Sequence, residues 1–204
     1  MCGLFGWLKF DAVLTDGEIQ LSRLATAKIT HRGPDGSGEW FRGGVFMGHR
    51  RLKILDLSEK SAQPFKSQDG RYVLTYNGEI YNYIELREEL KQLGFRFETT
   101  SDTEVFLSAF QAWGVDAFVR FEGMFAAAIH DIQTNTHTLV RDHLGQKPLY
   151  YFEHGREFAY ASELRGLLAL DGFNWSIDRE NFIRYLANSY YVWDTTPLKG
   201  VKKL

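Results

Sequence analysis

The sequence has a single cysteine, at position 2, and only four prolines among 204 residues. One cysteine can form neither an internal disulfide nor a Cys-rich zinc site. A reducing cytoplasm is therefore the expected location. No block of five like charges occurs, and 24 basic against 26 acidic residues leave a net charge of −2. That excludes a function resting on a basic patch, whether for nucleic acid or for an anionic membrane surface. The longest apolar run, 124–129, is far too short to span a bilayer. The N-terminus carries neither the basic nor the apolar segment of a secretory signal. The six histidines are scattered, without metal-ligand spacing, so no metal is expected. Gly33-Pro34-Asp35-Gly36-Ser37-Gly38 lacks the Lys-Ser/Thr of a phosphate loop, and no Gly-x-Ser-x-Gly elbow is present.

What is present is a globular composition, 44% hydrophobic and 15% aromatic. A chain of this length buries about 70% of its unfolded surface without staples. A first strand is expected over 3–10. Thr15-Asp16-Gly17-Glu18 is a capping box that opens a helix, and Ser101-Asp102-Thr103-Glu104 is a second, with Gly114 ending its helix. Short strands are expected at 45–47, 50–55 and 72–76. Apolar residues at helical spacing mark 83–93, which places Asn77-Gly78 in a strand-to-helix loop instead of a hairpin. Hairpins follow at 124–131 with 136–141 and at 148–152 with 157–161. Helices are expected at 162–168 and 178–187, and the last fifteen residues look extended. About eight strands with helices between antiparallel pairs make an α+β protein. The helix near Asp178 and the tail after it separate from the rest, giving units 1–172 and 173–204.

Cys2 is the residue with chemical promise. A lone cysteine is ordinarily a small buried hydrophobe. At position 2, however, removal of Met1 would place a thiol and a free α-amine on one residue. An α-amine with a reference pKa of about 7.7–8.0 is partly neutral near physiological pH and can accept the thiol proton. An acyl-transfer nucleophile also needs donors aimed at a developing oxyanion. Asn77 and Gly78 would supply a side-chain amide and a backbone N–H, although Asn-Gly alone is equally a turn.

Six segments now carry a family. Met1-Cys2-Gly3-Leu4-Phe5-Gly6, Arg32-Gly33-Pro34-Asp35, Asn77-Gly78-Glu79-Ile80-Tyr81-Asn82, Ser101-Asp102-Thr103-Glu104, the run from Arg141-Asp142-His143 to Tyr151 and Ala161-Ser162-Glu163-Leu164 occur in that order. Together they resemble the glutaminase domain of class II glutamine amidotransferases, specifically glutamine-hydrolysing asparagine synthetases. The resemblance covers essentially the whole chain. It implies the N-terminal-nucleophile hydrolase fold, two stacked antiparallel sheets between helical layers. It implies that Cys2 attacks the carboxamide of L-glutamine to form a γ-glutamyl thioester, with Asn77 and the Gly78 N–H as the oxyanion hole. By the same resemblance Arg51 holds the α-carboxylate and Asp102 the α-ammonium. Ile54 and Leu55 lie in the strand bordering the substrate, and Glu79 follows the oxyanion glycine. Strand alternation alone does not choose between Arg50 and Arg51; the family pattern, with its arginine directly before the leucine, selects Arg51. Gln146 departs from the family residue in a segment read as structural.

The resemblance further implies a C-terminal synthetase domain of the same protein as partner, binding ATP and Mg²⁺ through a Ser-Gly-Gly-x-Asp-Ser loop. This chain has no such loop, so no cofactor is expected of the domain itself. L-glutamine and the synthetase domain are the expected partners, with a homodimer among the expected assemblies and neither nucleic acid nor membrane. Two other readings stay open: an amidotransferase whose ammonia goes to another carboxylate, of a sugar or natural-product precursor, and a glutamine-binding module that does not turn over.

Overall fold

Strand β1 (Gly3–Lys9) is buried almost throughout because both of its faces are covered. Leu4 and Leu8 enter one apolar layer while Phe5 and Trp7 enter another, as alternation along a strand requires. In the computed structural model, which describes residues 1–204, β1 pairs antiparallel with β3 (Val45–Arg51) and β9 (Glu157–Ala161). With β2 (Gly36–Arg42), β8 (Tyr150–His154) and β10 (Val201–Lys203) they form a sheet in the order β10-β8-β9-β1-β3-β2. A second antiparallel sheet has the order β4-β5-β6-β7, from β4 (Phe65–Lys66), β5 (Tyr72–Ile80), β6 (Gly123–Asp131) and β7 (Thr136–Arg141).

Three apolar layers hold these sheets. Leu4, Leu8, Val45 and Met47 of the first sheet meet Val73, Ala126 and Ala128 of the second in the middle layer. The small alanines let the sheets approach closely. Helices α1 (Asp16–Ala27) and α4 (Leu164–Leu167) cover the outer face of the first sheet through Ala25 and Leu167, with Ile29 just after α1 joining them. Helices α2 (Tyr83–Gln92) and α3 (Asp102–Trp113) cover the second through Leu86, Leu90, Val105 and Phe106. A last helix, α5 (Arg179–Asn188), buries no residue. The expected α+β arrangement, stacked antiparallel sheets between helical layers, is the one observed.

Details differ from expectation for physical reasons. Asn77-Gly78 is not in a loop. It lies inside β5, whose ladder with β6 runs unbroken from Tyr72↔Asp131 to Ile80↔Gly123, and nine paired residues override a local turn preference. The segments 45–47 and 50–55 are not two strands. One strand runs from Val45 to Arg51 and stops where its partners end, at Gly3↔Arg50 and Gly36↔Arg51. Ile54 and Leu55 consequently lie in the loop beyond β3, both exposed. The Thr15 capping box forms as expected, with Glu18 accepting from the Thr15 N–H at 2.8 Å. At α3 only half of a box forms. Ser101 accepts from the Thr103 N–H, but Glu104 turns back to take the N–H groups of Glu98 and Thr99. There are ten strands, because β2, β4 and β10 gave no periodic signal of their own.

Candidate active site

Alternation assigns the site its faces. On β1, Leu4 and Leu8 face the middle layer, and continuing the period backwards puts Cys2 on that side too. On β3 the same count carries Val45 and Met47 on to His49 and Arg51, leaving Arg50 on the opposite face. On β5 it carries Val73 on to Thr75 and Asn77. The nucleophile candidate thus comes from one sheet and the amide candidate from the other, meeting where the middle layer opens at one end of the sandwich. A cavity of about 290 Å³ lies there, lined by Cys2, Arg51, Asn77, Gly78, Glu79 and Asp102 together with Ile54 and Leu55. Every residue singled out from the sequence lines it, and Arg50 does not.

The Cys2 thiol is half-buried, 3.4 Å from the Leu52 N–H and 3.7 Å from the Leu52 carbonyl. Burial raises its pKa; the Leu52 N–H, bonded to sulfur, opposes that only in part. The thiol is therefore protonated at neutral pH and needs a base. Met1 also lines the cavity, and its amino group is held below its ordinary pKa by burial, with Arg32 and Lys147 adding to the effect.

Two donors face the thiol's cavity without a protein partner. Asn77 is buried, and its Nδ2 makes no hydrogen bond. The second donor follows from the ladder. Phe125 donates its N–H to the Asp142 carboxylate and accepts at its carbonyl from the Asp142 N–H, both on the far side of β6 from β5. Its opposite number, Gly78, therefore turns its N–H away from β6. On that same edge the Tyr76 N–H donates to Gln63 Oε1 at 2.6 Å and the Ile80 N–H to Asp102 Oδ2 at 3.1 Å. The Gly78 N–H between them points at the cavity. A side chain at 78 could not be accommodated, since its Cβ would lie 2.4 Å from the Met124 carbonyl oxygen.

The charges are as informative as the donors. Asp102 opens α3, is buried, and accepts from the Tyr76 hydroxyl at 2.7 Å as well as from Ile80. Burial raises its pKa despite those two donors, and no cation of the protein pairs with it. Arg51 is buried too, and its guanidinium donates only to the carbonyls of Asp56 (2.6 Å) and Ser58 (2.8 Å). Those bonds fold the 52–58 loop, and the Asp56 carboxylate ties it to Thr100 beside α3. A cation and an anion, neither neutralised inside the protein, thus line one cavity.

A family model described as "Glutamine amidotransferase domain" matches residues 1–204. The chain belongs to this family. The amidotransferase domain is 38% identical to asparagine synthetase [glutamine-hydrolyzing] 1 of Bacillus subtilis, over 100% of this chain and 32% of that protein. It is equally 38% identical to asparagine synthetase B [glutamine-hydrolyzing] of Escherichia coli, over 99% of this chain and 37% of that protein. The chain therefore spans about a third of the length of these relatives. Among solved structures it resembles the glutamine phosphoribosylpyrophosphate amidotransferase of B. subtilis complexed with ADP and GMP. The TM-score is 0.68 at 22% identity, covering 82% of this chain and 43% of that one. That likeness extends to the fold.

Within the amidotransferase domain, Arg32 stands out although sequence reasoning gave it no role. It is buried, donates from Nε to the Cys2 carbonyl at 2.9 Å, and is paired with Glu163 at 3.1 Å. The only sequence signal was its place in Arg-Gly-Pro-Asp. Gly33 lets this turn press against β3, where a Cβ would sit 2.3 Å from the Arg50 carbonyl. The segment carrying Gln146 is built around Asp142, whose carboxylate takes the N–H groups of Phe125, Leu144, Gln146 and Lys147.

Proposed function

We propose that this domain hydrolyses L-glutamine to L-glutamate and ammonia through a γ-glutamyl thioester on Cys2. The observation that carries the reading is the pair of unpartnered donors, Asn77 Nδ2 and the Gly78 N–H, facing the cavity that holds the Cys2 thiol. Arg51 takes the α-carboxylate of glutamine and Asp102 its α-ammonium, which fixes the amino acid by its zwitterionic end. Ile54, Leu55 and Glu79 border the bound side chain.

The chemistry requires Met1 to be removed, because the nitrogen of Cys2 is otherwise a planar amide without a basic lone pair. The freed α-amine accepts the thiol proton as sulfur adds to the carboxamide carbon. The oxyanion forms against Asn77 and Gly78. Collapse breaks the C–N bond, and the ammonium proton passes to the leaving nitrogen, giving ammonia. Water, deprotonated by the same amine, then cleaves the thioester, and the thiol regains its proton as glutamate leaves.

We further propose that residues 173–204 lead on to an ATP-dependent synthetase domain that receives the ammonia and forms asparagine. ATP and Mg²⁺ belong to that domain, and the names of the relatives support this acceptor. The test of the glutaminase reading is glutamate release without ATP, on protein whose intact mass shows Met1 removed. Release is expected from the wild type and none above background from Cys2→Ala. Equal rates would refute Cys2 as the nucleophile.

A further inference from the structure

His49 belongs to no step above, yet its ring joins a strand of one sheet to the backbone of a strand in the other. Its Nε2 lies 3.1 Å from the carbonyl oxygen of Tyr76, and the residue is completely buried. A carbonyl can only accept, so Nε2 carries the proton and Nδ1 is bare; Nδ1 has no partner. Burial pushes the imidazole pKa down to about 4, which keeps this neutral tautomer throughout the working pH range.

The two ends of the bond matter more than its strength. On β3, His49 sits opposite Leu4 of β1 and two residues before Arg51, so it is rigidly tied to the sheet that carries Cys2. On β5, Tyr76 directly precedes Asn77 and Gly78, and its hydroxyl reaches Asp102. Elsewhere the sheets meet through packed side chains, apolar ones and the ring pairs His137–Tyr160 and Trp40–His130, which resist separation but set register less directly than a bond to the backbone. We propose that His49 is a positioning residue for glutamine hydrolysis, its bond to Tyr76 fixing where the oxyanion donors of β5 stand relative to the Cys2 thiol. The inference rests on the glutaminase reading.

The test combines steady-state kinetics with alkylation of Cys2 by iodoacetamide, a displacement that forms no oxyanion, on folded protein lacking Met1. His49→Leu fills the space without donating. It should lower kcat about 10–100-fold, the scale of a small misplacement of reacting groups, with the KM for glutamine and the alkylation rate both within about threefold of wild type. His49→Gln presents an amide N–H at a similar reach and should recover kcat to within about threefold. If the leucine variant fails to fold, His49→Asn, too short to reach Tyr76, replaces it with the same expectation. A non-donating variant with wild-type kcat, a glutamine variant as impaired as leucine, or alkylation falling in parallel with kcat would each overturn the role of His49. A wild-type protein that is alkylated at Cys2 but releases no glutamate would instead overturn the glutaminase reading.

Discussion

Asp102 and Arg51 are expensive residues to bury, since each leaves the protein's own counter-charges behind. Their hydrogen bonds offset part of that cost; under the proposed function the zwitterionic end of glutamine supplies both counter-charges, and the two ends of the site should then separate in kinetics. Asp102→Asn removes a counter-charge felt equally in ground and transition states, so the KM for glutamine should rise with a smaller change in kcat. Asn77→Ala removes a donor needed once the oxyanion forms, and should lower kcat by about 10²–10³. Steady-state glutamate release against glutamine concentration measures both, and a change confined to KM in Asn77→Ala would make Asn77 a binding residue. At this scale Cys2 with its α-amine and the Asn77-Gly78 donors were legible from residue chemistry, whereas Arg51, Asp102, Ile54, Leu55 and Glu79 of the candidate site were legible only through the family resemblance. Arg32 was legible in neither way, because its bond to the Cys2 carbonyl spans thirty positions that only the fold brings together.

Elements were legible where the periodic signal was strong and misread where pairing decided. The helices over 83–93 and 102–113 declared themselves, whereas Asn77-Gly78 reads as a turn until β6 is there to pair with it. The misreading of Ile54 and Leu55 has the same origin, since apolar residues without a partner strand stay in a loop. Packing between elements is equally invisible in one dimension. Gly6 looks like any strand glycine, yet a Cβ there would lie 2.2 Å from the ring of Tyr160, which fills the middle layer beside β1. Gly6→Ala should therefore destabilise the fold by about 1–3 kcal/mol, the usual cost of overfilling a tight core. Urea unfolding would record it as a lower midpoint at unchanged slope, and an unchanged midpoint would mean that Tyr160 moves aside freely.

At the scale of the whole molecule, the sandwich buries imidazoles that its fold keeps uncharged. Burial lowers the pKa of His49 to about 4 and of His137 to about 3, and lowers that of His130 as well, against an ordinary value of 6.5. The unfolded chain thus binds more protons than the folded one between these limits. Their contribution to stability is complete above about pH 6.5 and is lost as pH falls towards 4 and below. For His49 alone the loss is on the order of 3 kcal/mol. Asp131 and Asp56, held well below the usual carboxylate range by hydrogen bonds led by Arg71 and Ser58 respectively, add a further loss at still lower pH. Thermal unfolding midpoints should therefore decline from pH 6.5 downwards, by several degrees at pH 5. A flat profile to pH 4 would mean that the buried rings take up protons without cost.

The peptide bond between Met1 and Cys2, set in the mouth of the cavity, has a practical meaning for anyone producing this domain. An affinity handle or fusion partner joined ahead of Cys2 would occupy the place of Met1, and would hold the nitrogen of Cys2 in the same unreactive amide. Under the proposed chemistry such a fusion is a silenced enzyme that folds normally, and a protease cutting immediately before Cys2 becomes its switch.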